Sequence, residues 1–370
     1  MARISGDEFA VVLENIADGA EADQCAQRII EAFEAPLHLD DRHEATISPS
    51  IGISLFPDHA QVPTDLLKHA DTAMYRAKRG GKRGHMRYLQ EMETDSRRRA
   101  GLIAALRRAI ERDELHLAYH PELRLADVRI AAVEALLRWD SAAHGSIAPD
   151  EFIPLAEETG LIVPIGEWVL DAACRTLAGW RRTGVDPRLK VSINVSALQL
   201  LRSELPDAVA AALRRHGLPA SALELELTES VLMDNAALAG DRLRAFRDLG
   251  ISIAVDDFGT GYSSLSYLHR LPINTLKIDK AFIDGIASPD DHEDATITTT
   301  VIAMARTLGL QVVAEGVETA AQLAFLQRNA CDIAQGYWIS RPLAADACLR
   351  FLLDAQAGAG ARLDRAGAPA

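Results

Sequence analysis

Polar and apolar residues alternate in short runs along the C-terminal two-thirds of the chain, and the parity holds around a few charged positions. In 191–196, Val191, Ile193 and Val195 fall on one side, and Ser192, Asn194 and Ser196 on the other. In 223–228, Leu223, Leu225 and Leu227 oppose Glu224, Glu226 and Thr228. In 251–256, Ile251, Ile253 and Val255 oppose Ser252, Ala254 and Asp256, and Lys277 stands alone between Leu276 and Ile278. A strand has a side-chain period of two, so each run offers one face to a covering helix and points the other into a shared interior. Strands are predicted near 115–121, 131–138, 190–196, 223–229, 251–257, 274–279, 311–316 and 332–337. Apolar spacing of three and four predicts helices between most of them, among them 164–182, 204–216, 235–249 and 295–308. Eight strands with intervening helices over 101–353 predict an α/β fold of the (β/α)8 TIM-like barrel type.

Residues 1–90 have a different rhythm and predict a separate α+β unit, with strands at Phe9–Leu13 and 46–54 and helices at 21–34 and 64–79. Its second helix runs into Arg76, Lys78, Arg79, Lys82, Arg83 and Arg87, a basic end favoured by the helix dipole and read as a solvated face. The charged stretch 91–100 predicts a linking helix, and the Ala- and Gly-rich stretch 354–370 predicts a disordered tail.

Composition narrows the function. A net charge of −14 argues against a polymeric nucleic acid or a membrane surface as partner, although a metal and a few arginines could hold a small phosphate ligand. Cys25, Cys174, Cys331 and Cys348 are scattered, as expected of reduced thiols in a cytoplasmic protein or in the cytoplasmic portion of a longer one. No apolar run approaches the ~18 residues that read as a membrane span, so none is predicted.

The chemistry lies in the polar positions. Catalytic groups of such barrels stand at the C-terminal ends of strands, where Glu134, Glu226, Asp256 and Glu315 are predicted to fall. A single inward carboxylate reads as an internal salt bridge. Several on successive strands repel one another unless a cation joins them. With Asn194 and without His or Cys, the donors suit Mg²⁺ or Mn²⁺ rather than zinc. Adjacent Asp256 and Asp257 could serve two ions roughly 3.5–4 Å apart, an arrangement recurrent in phosphodiester hydrolysis. Gly259, Gly261, Ser263 and Ser264 make the next loop a candidate lid. Lys277 could neutralise the carboxylates, or orient a water and stabilise charge at phosphorus. Arg138, four residues beyond Glu134 with the same parity, could reach a substrate phosphate, while Glu229 has the opposite parity to Glu226 and fits a partner for the 256–264 loop.

At this point the chain resembles the EAL-domain cyclic di-GMP phosphodiesterases. The motifs are EALLRW (134–139), NVS (194–196), ELTES (226–230), DDFGTGYSSL (256–265), LKID (276–279), AEGVE (314–318) and QGYWISRP (335–342). The resemblance implies metal-dependent hydrolysis of 3′,5′-cyclic di-GMP to linear pGpG in bacterial second-messenger signalling. It implies Glu134, Asn194, Glu226 and Asp256 on a first Mg²⁺ or Mn²⁺, and Asp256, Asp257 and Glu315 on a second; Ca²⁺, which prefers longer bonds and more ligands, is expected to inhibit. Glu315 would also be the base, Lys277 would position the water, and Glu229 would anchor the lid. His120, Leu137, Arg138, Asp257, Glu318 and Gln335 would meet the dinucleotide or order its pocket. His120 departs from the family, which commonly has glutamine between Tyr and Pro, here Tyr119 and Pro121. The resemblance further implies a homodimer through this domain. The competing readings are a catalytically silent cyclic di-GMP receptor and an enolase-like lyase.

Residues 1–90 resemble the C-terminal half of a GGDEF (diguanylate cyclase) domain, through Ser5-Gly6-Asp7-Glu8-Phe9 and ADTAMYRAKRGGKRG (70–84). Half of that domain is expected to be cyclase-inactive and to leave apolar edges exposed, covered by a partner or by more of a longer chain.

Overall fold

The computed structural model describes residues 1–35, 37–40, 43–79, 84–202, 204–234, 236–259, 270–287 and 292–358. Its contacts separate two compact units, Met1–Leu102 and Ile103–Ala370, with the division inside a helix, Gln90–Leu106, that includes the predicted linker.

In the first unit, β1 (Ala2–Ser5) and β2 (Glu8–Ala10) form an antiparallel hairpin, as do β3 (Leu37–Asp40) and β4 (His43–Ala45). β5 (Ser50–Ile53) and β6 (Gly84–Arg87) form a parallel pair. The helices Gly19–Ala32 and Pro63–Arg79 lie close to prediction, and Asp18 caps the first by accepting from the amides of Ala20 and Glu21. The predicted strand Phe9–Leu13 is shorter, because Val11, Val12 and Leu13 are exposed and find no ladder. Ile4 and Phe9 are exposed as well. The small cores are built on Ala22, Ala26 and Ile53 and on Ala73, Tyr88 and Met92.

The second unit is a closed eight-stranded barrel. Its strands are β7 (Leu115–Arg124), β8 (Arg129–Ser141), β10 (Lys190–Asn194), β11 (Leu223–Thr228), β12 (Ser252–Phe258), β13 (Thr275–Ile278), β14 (Gln311–Ala314) and β15 (Ile333–Gln335). Two short strands lie outside the ring: β9 (Gly145–Ile147) pairs with β8, and β16 (Leu343–Ala344) pairs with β7. Helices including Ile162–Arg182, Leu205–His216, Ala236–Leu249 and His292–Thr307 separate the later strands. Ile165, Val169, Ala172, Ala173 and Leu177 are buried on the first of these at the predicted spacing. Leu223, Leu225 and Leu227 are almost fully buried behind β11, each worth roughly 1.5–3 kcal/mol over an exposed side chain.

One strand departs from an all-parallel (β/α)8 barrel. β7 runs antiparallel to both neighbours, β8 and β15. Residues 125–128 join β7 to β8 as a tight turn, and a parallel crossover needs a dozen residues or more. Parallel register carries the polar faces into alignment: Ser192 lies opposite Glu134, Asn194 opposite Glu226, and Thr228 opposite Asp256. His120 faces Glu134 across the antiparallel pair.

Candidate active site

Lys277, on the inward face of the four-residue β13, is 1% exposed and is the centre of the polar interior. Its Nζ lies 2.6 Å from Glu315 Oε1, 2.8 Å from Glu226 Oε2, 3.5 Å from Asp256 Oδ1 and 3.7 Å from Glu134 Oε2. Burial would strip the proton from a lysine, but these carboxylates outweigh it and hold Lys277 well above the usual ammonium range. One cation cannot neutralise four carboxylates, and the excess shows in their proton affinities. Burial, then the neighbouring acids, push Glu226 up strongly and Glu315 up to about 8. Glu134 goes the other way. Burial would raise it, but Lys277 and hydrogen bonds from Gln335 Nε2 (2.9 Å) and Asn194 Nδ2 (2.7 Å) keep its carboxyl below the ordinary range.

The carboxylates do not all stand where the pattern put them. Asn194 ends β10 and Glu315 follows β14 directly, but Glu134 lies in the middle of the thirteen-residue β8, whose continuation carries Arg138 farther out. Asp256 is followed by a break in the β12–β13 register between Val255 and Phe258. There Asp257 takes a positive φ of 54°, so its side chain shares a face with Asp256 instead of alternating away. Carboxylate oxygens of Asp256, Asp257 and Glu315 lie within 4.8 Å of one another. Burial raises Asp257 to about 6, helped by the charges of Asp256 and Asp279 and by a hydrogen bond with the Asp279 side chain.

This donor set fits a hard divalent cation. Glu226 Oε1 is buried without a hydrogen-bond partner, an unused acceptor on the carboxylate whose other oxygen meets Lys277. Orphaned buried acceptors are costly unless something binds them. Asp256, Asp257 and Glu315 could share such an ion, and Glu134, Asn194 and Glu226 are the further oxygen donors near it that could hold one.

The remaining predicted residues are more dispersed. Glu229, 2% exposed, accepts from the Gly259 amide at 3.1 Å, at the start of the candidate lid. Gly261, Ser263 and Ser264 lie outside the described residues. Gln335 meets Glu134 and is buried. His120 Nε2 is 2.9 Å from the Ser340 carbonyl, which can only accept, so that nitrogen carries the hydrogen. Burial lowers its pKa below the usual imidazole range, so the ring is neutral at pH 7. Arg138 Nη1 donates to the Leu137 carbonyl at 2.9 Å, with both residues half-buried. Glu318 is half-exposed and bound by Lys280.

Two groups were absent from the sequence-based expectations. Asp279 closes on Asp257, and its parity with Lys277 in LKID was the available signal. Beneath the carboxylates lies a second polar layer, where Ser192 Oγ donates to Glu122 (3.3 Å) and Thr275 Oγ1 to Glu224 (3.1 Å). Burial pushes Glu122 up to about 8. Glu122 and Glu224 share parity with His120 and Glu226 and were equally visible on that ground.

Residues 103–342 match the EAL domain family, and residues 1–84 match the family described as diguanylate cyclase, GGDEF domain. The chain belongs to the EAL-domain family. A partial GGDEF domain precedes its barrel. Over 94% of its length it is 44% identical to the bifunctional diguanylate cyclase/cyclic di-GMP phosphodiesterase MucR of Pseudomonas aeruginosa. Over 95% it is 42% identical to the cyclic di-GMP phosphodiesterase NbdA of the same organism. The chain spans 50% and 44% of those two proteins. A solved structure, the PaMucR phosphodiesterase in complex with c-di-GMP, superposes with a TM-score of 0.64 at 47% identity, covering 67% of this chain and 99% of that one. No helix among the described residues is long and apolar enough to cross a membrane.

Proposed function

We propose that this EAL domain hydrolyses 3′,5′-cyclic di-GMP to linear pGpG with Mg²⁺ or Mn²⁺, as part of bacterial second-messenger signalling. The observation that carries the reading is the cluster of four carboxylates around Lys277, one of which, Glu226, keeps a buried Oε1 without a hydrogen-bond partner. The MucR and NbdA activities support the substrate class. Glu134, Asn194, Glu226 and Asp256 would hold one ion, and Asp256, Asp257 and Glu315 a second. When bound, such ions polarise the phosphoryl oxygens and make water acidic enough to attack near neutral pH.

The chain's own groups supply the rest. With cations offsetting the neighbouring acids that raise its carboxyl, Glu315 would be the proton acceptor, and Lys277 Nζ, 2.6 Å from it, fixes its carboxylate and opposes the negative charge that grows at phosphorus. Asn194 and Gln335 orient Glu134 by donating to its two oxygens. Glu229 ties down the first residue after the Asp256–Asp257 strand end. Arg138, Leu137, His120 and Glu318 border the region where the dinucleotide would lie. The working unit is a homodimer through the barrel, located in the cytoplasm.

Incubating the protein with cyclic di-GMP and each divalent ion tests this, with products resolved by chromatography. The expected result is pGpG with Mg²⁺ or Mn²⁺ and none with Ca²⁺ alone, since Ca²⁺ favours longer bonds and more ligands and would misplace the attacking water. Tight binding without product would favour the receptor reading, and neither binding nor product the lyase reading. Full turnover with Ca²⁺ as sole ion would sink the assigned geometry.

His120 gives a pH prediction. In the neutral form, with its Nε2 hydrogen given to the Ser340 carbonyl, it offers a guanine edge one acceptor, Nδ1, while protonation removes that acceptor and adds charge. Its lowered pKa puts that change below the ordinary imidazole midpoint of about 6.5. KM for the wild type should therefore rise only below that pH, and His120→Gln should abolish the rise. Superimposable KM curves for the two proteins would leave His120 as packing against Ser340.

A further inference from the structure

We propose that Lys280 is a positioning residue for the substrate side of this site, fixing the Glu318 carboxylate and the turn that follows Glu315. The proposal rests on the phosphodiesterase reading above and extends it to a residue outside the carboxylate ring. Lys280 begins the helix Lys280–Asp284 at the exit of β13, three residues beyond Lys277, and Glu318 stands in the loop after β14. Lys280 Nζ lies 2.5 Å from Glu318 Oε1, whereas its other carboxylate neighbour, Asp284, is 3.9 Å away. That hydrogen bond is the main reason the Lys280 ammonium is held above its ordinary range.

The path of the lysine stem gives the second observation. Gly316 has a φ of 68°, and a Cβ built there would meet Lys280 Cγ at 2.3 Å, Cβ at 2.6 Å and Cδ at 2.8 Å. The aliphatic stem thus lies flat on a bare glycine backbone immediately after Glu315. Around this contact the turn is fastened at every other step. The Glu315 amide donates to Ile278 O (3.1 Å) and the Val317 amide to Gln335 O (2.9 Å). The Glu318 and Thr319 amides both donate to Gln322 Oε1, at 2.8 and 2.9 Å. Lys280 closes the clamp from above and ends on the carboxylate proposed to face the dinucleotide.

Stability is a poor reason for this arrangement. Both side chains are near half exposed, 48% for Lys280 and 41% for Glu318, and exposed pairs contribute little. Their use is geometric. An unpaired glutamate on a rim samples several rotamers, while one held at one oxygen presents the other in a fixed direction and loses less freedom on binding.

The test compares Lys280→Met, which keeps the stem and removes the charge, with Lys280→Arg, Glu318→Gln and the Lys280→Met/Glu318→Gln double variant. Lys280→Met should raise KM for cyclic di-GMP by about ten-fold while kcat stays within about two-fold, the signature of lost substrate positioning. Lys280→Arg should restore most of the affinity, and the double variant should be no worse than Glu318→Gln alone. A Lys280→Met KM within two-fold of wild type would overturn the proposal, as would effects that multiply in the double variant. If the wild type binds without turnover, dissociation constants from calorimetry carry the same comparison. Wild-type protein that neither binds nor hydrolyses cyclic di-GMP refutes the phosphodiesterase reading itself, and the role of Lys280 falls with it.

Discussion

Asp256→Ala is expected to lower kcat for cyclic di-GMP by on the order of 10³-fold or more while leaving the fold intact. The loss follows from what metal and acid groups supply: several kcal/mol of charge stabilisation, each 1.36 kcal/mol being a factor of ten. Asp256 is proposed to serve both ions, so water in its place cannot restore the donor at the same charge. Persistence of the fold follows from the electrostatics. Asp256 is one of four acids around a single Lys277, and removing it relieves repulsion on Glu226 and Glu315, whose proton affinities it raises. Thermal melting of the metal-free variant should therefore be unchanged or higher. Glu134→Ala should be equally inactive but less stable, because Asn194 Nδ2 and Gln335 Nε2 both donate to Glu134 and would lose their acceptor. Turnover within a few-fold of wild type in either variant would remove these residues from the metal assignment.

The barrel was legible because strand parity is a local property. Val191, Ile193 and Val195 against Ser192 and Asn194 specify both a strand and its inward face, and parallel register then brings Asn194 level with Glu226 without further information. The direction of β7 was less legible. It depends on the connection at 125–128, too short for a helix, and that spacing signal conflicted with the general alternation of strands and helices. The facing of Asp257 was not legible by parity at all, since the register break after Val255 and the positive φ at Asp257 override the period of two. The Lys280–Glu318 pair is thirty-eight residues apart and joins two strand exits, so only closure of the barrel brings it together. In the first unit the alternation at Phe9–Leu13 suggested a longer strand than forms, because a strand needs a partner as well as a pattern.

Lys277→Met is expected to turn the barrel's stability into a function of metal and pH. The substitution leaves Glu134, Glu226, Asp256 and Glu315 facing one another without their cation, and breaking a buried pair in this way costs about 3–5 kcal/mol. The sign of the pH effect follows from the raised carboxyls. Glu315 has a folded-state value of about 8 against an ordinary 4.5, so the stability its proton confers is full below about 4.5 and is lost as pH rises through about 8. Glu226 is raised in the same direction and adds to the slope. In chelator, Lys277→Met should thus melt progressively lower from pH 5 to pH 8, more steeply than wild type, since Glu134, whose carboxyl Lys277 helps hold below the ordinary range, loses that restraint and joins the slope. Saturating Mg²⁺ should reverse most of the loss at pH 8, because a ligand at 100 times its Kd stabilises the native state by about 2.7 kcal/mol. Melting temperatures across pH with and without Mg²⁺ decide the matter independently of activity. A Lys277→Met profile that is flat with pH and indifferent to Mg²⁺ would mean that the four carboxylates neither need a cation nor bind one.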